Sequence, residues 1–203
     1  MVTKLTIPRC YRCRMHVELC FCADLIPQHT ATQILILMQW GERHCVTNTA
    51  HLLPKCLSNS EIRYRGNPDR SPVQIEDLLT RPNTFVLFPS PSAIVLDEKF
   101  KNALTSPATL VALDGNWGQA SSMMRREEVF QKLPKVILAP GPKSEYHLRR
   151  NQIPGNVCTF EAVARAMGQL ESPELQMRLE SVFHKMVSRS LWMRGLIRRD
   201  QMV

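Results

Sequence analysis

Four short stretches, residues 33–38, 85–88, 110–113 and 136–139, are apolar almost without a break. Such runs are too short for helices and read as strands buried on both faces. A fifth, residues 61–64, is weaker. Between and after the strands the apolar positions recur at helical spacing. A helix is predicted to start at Thr47 or Asn48, with Pro54 limiting or kinking it. Residues 119–133 read as one helix with Ala120, Met123, Met124 and Phe130 on its apolar side, and Arg125 and Arg126 exposed or lining a groove. Another helix opens at Thr159, with Thr159 as N-cap and Glu161 in its first turn. Residues 174–199 read as a single long helix built on Leu175, Leu179, Val182, Phe183, Met186, Val187 and Leu191. Strands alternating with helices predict an α/β domain, a mainly parallel sheet flanked by helices.

In such sheets ligands bind where strands end and helices begin. The strand over 110–113 delivers Asp114, then Gly115-Asn116-Trp117, then a helix. Gly115 permits a sharp turn or a close approach, Asn116 can cap the helix, and Trp117 offers a flat apolar surface with one donor. An ordinary capped turn beside a core tryptophan would use the same residues. The strand over 85–88 runs into Pro89-Ser90-Pro91-Ser92-Ala93, hydroxyls beside a proline that suits a helix start. The strand over 136–139 runs into a basic loop with one aromatic, Lys143 to Arg150, suited to phosphate contact and stacking or to plain solvation.

The 203 residues fit one domain, and the net charge of +8 favours a polyanionic partner, nucleic acid being the commonest, over charge kept for solubility alone. Basic residues on the last helix, Lys185, Arg189, Arg194, Arg198 and Arg199, are one candidate contact. No apolar run approaches a membrane span, and the first ten residues lack the apolar stretch of a signal peptide. The expectation is therefore a cytoplasmic protein without membrane contact, whose seven cysteines stay reduced. Four of them, Cys10, Cys13, Cys20 and Cys22, form Cys-x-x-Cys followed by Cys-x-Cys. That set suits structural, tetrahedral zinc better than a redox pair, which needs no second pair of thiols. Four thiolates fill the shell, so His16 is not needed and catalytic zinc is not expected. Arg9, Arg12 and Arg14 lie among the ligands and can touch phosphate. The division expected is a zinc-binding segment over 1–28 and a catalytic domain over 29–203. Cys45 and Cys56 read as packing residues.

Taken together these stretches resemble the DTW-domain family, named for an Asp-x-Thr-Trp motif, here Asp114-Gly115-Asn116-Trp117. The likeness covers nearly the whole chain. It takes in the four cysteines, Asn48-Thr49, Leu87-Phe88-Pro89-Ser90, the run Ser144, Tyr146, Leu148, Arg149, and Thr159-x-Glu161-Ala162. It is nearest to the bacterial tRNA-uridine aminocarboxypropyltransferases. Asn116 stands where the family usually has threonine, which preserves a capped turn and removes the hydroxyl. The resemblance implies S-adenosylmethionine as co-substrate and tRNA as acceptor. The 3-amino-3-carboxypropyl group would pass to N3 of a uridine, with methylthioadenosine leaving. It also implies a fold like that of the SPOUT RNA methyltransferases, whose C-terminal part is knotted around the cofactor. The sequence does not give the oligomeric state, and a monomer is the expectation. On this reading Asp114 is the base, with burial raising its pKa toward the working range, or else holds the turn or the nucleobase. Trp117 or Tyr146 stacks the base. Leu87, Phe88, Pro89, Ser90, Asn116, Ser144, Tyr146, Arg149 and Glu161 make up the cofactor site, on loops that follow Met38, Phe88 and Ala139. Arg149 and Arg150 take phosphate or the cofactor's carboxylate, and Glu161 alone can equally serve only its helix dipole. Two other classes fit the residues: a SPOUT-like methyltransferase, and a non-catalytic zinc-containing RNA-binding protein.

Overall fold

Alternation along the two longest buried strands sets the architecture. In β1 (Gln33–Gln39), Ile34, Ile36 and Met38 face one way while Leu35 and Leu37 face the other. In β5 (Thr109–Asp114), Leu110 and Ala112 oppose Val111 and Leu113 in the same manner. Both strands are therefore buried on two sides, and two hydrophobic cores form, one per face. The computed structural model describes residues 8–69, 72–148 and 157–203. Among these, β1, β2 (Ser60–Arg65), β3 (Thr84–Leu87), β4 (Ile94–Leu96), β5 and β6 (Lys135–Leu138) make one six-stranded sheet in the order β2-β1-β5-β3-β6-β4. Every pairing in it is parallel. β6 lies between β3 and β4, although only residues 88–93 join those two. Leu87 and Ile94 both stand opposite Val136.

One face is covered by α3 (Trp117–Arg126) and α4 (Glu128–Lys132), whose Met123, Val129 and Phe130 pack on Leu35, Leu37 and Val111. The other carries α5 (Thr159–Leu170) and α6 (Pro173–Met193), with Phe160 and Phe183 stacked at 5.8 Å and 15°. α1 (Leu53–Cys56) packs on this face too, and α2 (Glu98–Asn102), capped by Asp97, packs against β4 and α5. Met15, Phe21 and Leu25 of the cysteine-rich segment are at most 2% exposed and belong to this second core. The N-terminal segment is thus folded onto the sheet as well as around its cysteines.

The expected elements differ from the observed ones at several ends, each for a local reason. The helix expected from Thr47 or Asn48 is a 3-10 turn over Ala50–Leu52 running into α1, and Pro54 sits in the first turn of α1, where its missing N–H costs nothing. The helix expected over 119–133 breaks at Glu127, which turns extended and pairs with Arg65 of β2. The long helix stops at Met193 instead of Arg199. Gly195 takes φ of 67°, and the amides of Gly195 and Leu196 close on the carbonyls of Trp192 and Leu191. Cys158, not Thr159, caps α5. Its Sγ accepts the Glu161 N–H at 3.5 Å while the Glu161 carboxylate accepts the Cys158 N–H at 2.9 Å. The Ser-Pro segment after β3 starts no helix. It turns at Ser90 and enters β4. Among the described residues no helix is long and apolar enough to cross a membrane.

Cys56 and Cys158 are buried, and burial pushes both thiols up to about 12. Alkylation of the native protein at pH 8, read by peptide mass, will leave both unmodified, and denaturant will expose them. Phe183→Ala removes one ring of the stack inside the core and should cost about 3–5 kcal/mol in a urea titration.

Candidate active site and cysteine cluster

β1, β5, β3 and β6 all end at one edge of the sheet, and two cavities open there. The first, of about 270 Å3, is apolar. Leu87, Phe88 and Pro89 beyond β3, Val136 to Leu138 of β6, Ala112, Leu113, Val157 and Ala162 wall it. The second, of about 370 Å3, is polar, with Glu42, Cys45, Thr47, Asn48, Thr49, Asp114, Asn116, Tyr146 and Leu148 around it. Gly115, Trp117 and Thr159 border both. Trp117, at the first position of α3, is 40% exposed and meets Phe88 edge-on at 6.0 Å. One indole therefore stands between an apolar slot and a polar one.

The turn that places Trp117 is tightly fixed. Asn116 Oδ1 accepts the Gln119 N–H at 2.9 Å, and Gln119 Oε1 accepts the Asn116 N–H at 2.7 Å, a closed capping box. Asparagine thus performs the capping that a threonine would. A Cβ on Gly115 would come within 2.7 Å of Gln119 Oε1, so the capping side chain demands glycine there.

Asp114 is 4% exposed yet borders the polar cavity. Its Oδ2 accepts from Asn48 Nδ2 at 2.5 Å. Asn48 is oriented in turn: its Oδ1 accepts the His51 N–H at 3.1 Å, and its carbonyl lies 2.6 Å from His51 Nδ1. Only the amide nitrogen is left to face the carboxylate. Burial and the nearby cations Arg14 and Lys55 lower the pKa of His51 to about 3, so the ring is neutral and Nδ1 carries the proton that Asn48 accepts.

Ser144, Tyr146 and Glu161 come together, mainly with one another. The Glu161 carboxylate, buried at the start of α5, accepts from Ser144 Oγ at 2.6 Å, from the Glu145 N–H at 2.8 Å and from the Cys158 N–H. Ser144 Oγ accepts the Tyr146 N–H at 3.1 Å. This clasp sets Tyr146, whose hydroxyl donates to the Thr47 carbonyl at 2.6 Å and whose ring, 5% exposed, lies beside Phe183. Tyr146 therefore borders the polar cavity as a fixed wall, not as an open stacking platform. Ser90 Oγ accepts the Ser92 N–H at 3.4 Å within its own turn. Arg149 and Arg150 lie outside the described residues. Of the basic residues read onto the last helix, Lys185 pairs with Asp24, Arg189 donates to the Leu19 carbonyl and Arg194 to that of Leu148, while Arg198 and Arg199 are exposed. The sequence pointed to the loop after Met38 and to Asn48-Thr49, but not to the contacts of Asn48 with Asp114 and of Thr47 with Tyr146, which join residues distant in sequence and which periodicity does not encode.

The Sγ atoms of Cys10, Cys13, Cys20 and Cys22 lie within 4.8 Å of one another, with Cys10 to Cys22 at 3.5 Å and Cys13 to Cys20 at 3.7 Å. Sulfurs about 2.3 Å from a tetrahedral zinc stand about 3.8 Å apart, so the four thiolates fit that ion. They would hold it as a closed, structural site.

The family profile of the DTW domain matches residues 7–191. The chain is 31% identical over 183 residues to tRNA-uridine aminocarboxypropyltransferase 2 of Drosophila melanogaster, covering 87% of this chain and 72% of that protein. It is 28% identical to the protein of the same name in Macaca fascicularis, covering 81% and 57%. It is 30% identical to tRNA-uridine aminocarboxypropyltransferase A of Arabidopsis thaliana, covering 88% and 79%. The fold is similar to that of the SAM-dependent rRNA:acp-transferase Tsr3 from Vulcanisaeta distributa, with a TM-score of 0.53 at 16% identity over 82% of this chain and 80% of that one.

Metal analysis of purified protein should give about one zinc per chain, and Cys13→Ser, which removes a buried ligand, should lose it and expose residues 8–25 to protease. Glu161→Ala leaves the N–H groups of Glu145 and Cys158 without their acceptor. It should lower stability by about 2–4 kcal/mol in denaturant titration.

Proposed function

The chain belongs to the DTW-domain family, and from that premise we propose that it transfers the 3-amino-3-carboxypropyl group of S-adenosylmethionine to N3 of a uridine in tRNA. The observation that carries this reading is the pair of cavities divided by Trp117, with Asp114 in the polar one. The apolar slot suits the adenosine end of the co-substrate. The polar cavity suits its charged methionyl arm and the incoming uracil. A sulfonium has three carbons open to attack, and geometry selects among them. With the adenosine beside Leu87, Phe88 and Leu138, this transfer requires the methionyl γ-carbon, rather than the methyl, to face the nitrogen that Asp114 deprotonates. Asp114 accepts the N3 proton, N3 forms a bond to the γ-carbon, and the carbon–sulfur pair leaves with sulfur as methylthioadenosine. N3 lies on the Watson–Crick edge, so the uridine must be unpaired or flipped out to enter. Trp117 is placed to stack against it. Zinc in the cysteine cluster would stabilise the N-terminal segment and take no part in the transfer.

The same reading covers the finer features. The chain that leaves β6 must pass the short β3–β4 connection, because β6 is inserted between those strands. That supports a SPOUT-type knot at this edge. A four-thiolate zinc site suits the reducing cytoplasm, and we take the chain to act there as a monomer. The affinity with bacterial members rests on the motif set alone, since the relatives compared are animal and plant proteins.

Incubation with unmodified tRNA and S-adenosylmethionine, followed by digestion and weighing of the nucleosides, tests the reaction. An aminocarboxypropyl-uridine together with methylthioadenosine is expected. A methyl addition would make the protein a methyltransferase, and tRNA binding without any change would make it an RNA-binding protein. Asp114→Asn should bind S-adenosylmethionine as the parent does and react at least about a hundredfold more slowly. Trp117→Ala should raise KM for both substrates, because both cavities lose a wall.

A further inference from the structure

We infer that Arg14 is a positioning residue for Asp114: it makes the cysteine cluster hold the loop from which Asn48 reaches the carboxylate. The inference rests on the reading of Asp114 as the base. Arg14 follows the Cys-x-x-Cys pair directly, in the left-handed region at φ 64°, and its N–H is bonded to the Cys10 carbonyl at 2.8 Å. An arginine adopts that backbone only where its surroundings impose it. Here the turn between two metal ligands does so, and the side chain leaves the knuckle toward the sheet. Its guanidinium donates through Nη2 to the Arg43 carbonyl at 2.7 Å and through Nη1 to the Cys45 carbonyl at 3.2 Å. Arg14 is therefore committed to protein carbonyls and is not available to phosphate, unlike the expectation from its place among the ligands.

The two carbonyls belong to the loop between β1 and α1. In it the Cys45 N–H bonds the Glu42 carbonyl at 3.0 Å and the Asn48 N–H bonds the Cys45 carbonyl at 3.1 Å. One residue before Asn48, the Thr47 carbonyl takes the Tyr146 hydroxyl. The loop is thus pinned from two sides, by Arg14 from the knuckle and by Tyr146 from the segment after β6. Asn48 stands just past the second pin, aimed at Asp114 at 2.5 Å. A planar fork that bridges two carbonyls fixes direction as well as distance, which a single contact does not. Movement of residues 43–45 would carry Asn48 with it, because the Asn48 amide hangs on Cys45. The apolar slot is built from β3, β5, β6, α3 and α5 and the turns beside them, and no residue of this loop lines it. Loss of the tether should therefore disturb the reacting carboxylate and leave the seat of the adenosine intact.

Arg14→Met keeps the stem and removes the fork, and Arg14→Lys restores one donor group. In Arg14→Met that retains its zinc and melts with the parent, the amides of Cys45 and Asn48 should exchange about tenfold faster while β1 stays protected. Turnover should fall about tenfold while KM for S-adenosylmethionine rises by less, since only its methionyl arm would meet this loop, and Arg14→Lys should recover part of the exchange and turnover effects. Parental exchange at Cys45 and Asn48 would overturn the inference, as would a raised KM with unchanged turnover. If Arg14→Met sheds its metal, chelation of the parental protein tests the link. Cys45 and Asn48 must lose protection together with residues 10–22, and a loop that stays protected while the knuckle opens overturns the proposal. Exchange needs no substrate. A parental protein that transfers nothing would therefore sink the transferase reading, while the tether is still judged on exchange.

Discussion

A carboxylate at the end of a central strand, 4% exposed, has to be given fixed donors, because neither burial nor proximity alone supports its charge. Asn48 supplies one such donor to Asp114, across 66 residues of sequence. That requirement explains much of the surrounding construction. The Asn48 amide points this way because the His51 N–H holds its oxygen, while the buried, neutral His51 ring donates through Nδ1 to the Asn48 main-chain carbonyl. The loop carrying Asn48 has no long helix to stiffen it, so side chains from elsewhere anchor its carbonyls.

The second constraint is the pair of opposed cores. A sheet buried on both faces leaves its strand ends as the place where backbone and side chains can meet a ligand. β5 is at the middle of the sheet and brings Asp114 to that edge, while the capping box of α3 swings Trp117 outward immediately after it. The strand and the helix are packed against the same core, so the spacing between carboxylate and indole is set by packing as much as by the four residues of the motif. On the opposite face, α5 contributes its buried Glu161, which draws the segment 144–146 against the helix start. A single carboxylate thereby satisfies the first turn of α5 and places Tyr146.

The cysteine segment links the two. Its apolar residues join the core beneath α6, its thiolates converge on a metal-sized tetrahedron, and its arginine reaches the loop beside the site. Read as a sequence it looks like an appendage, since its own residues are mostly polar. Folded, it braces the loop that borders the polar cavity.

The sequence by itself determined five of the six strands, the α/β class, the thiolate set and the turn at Asp114 to Trp117. These depend on period, on turn residues and on short spacings, all of which are local. It also placed the fourfold cysteine motif correctly as a cluster. It did not determine β4, whose Ile94 and Val95 are exposed and lack a buried run, nor the break at Glu127, which depends on Arg65 from a distant strand. It did not separate the residues that border the cavities from those that hold others in place: Ser144 shares a motif with Tyr146 and Glu161 lies in the next one, yet Ser144 and Glu161 bond chiefly within their own clasp. Only the tertiary structure decided that Arg14 faces a loop and not a phosphate, and that Asn48 faces Asp114, because a hydrogen bond between residues far apart along the chain is selected by packing and leaves no periodic trace.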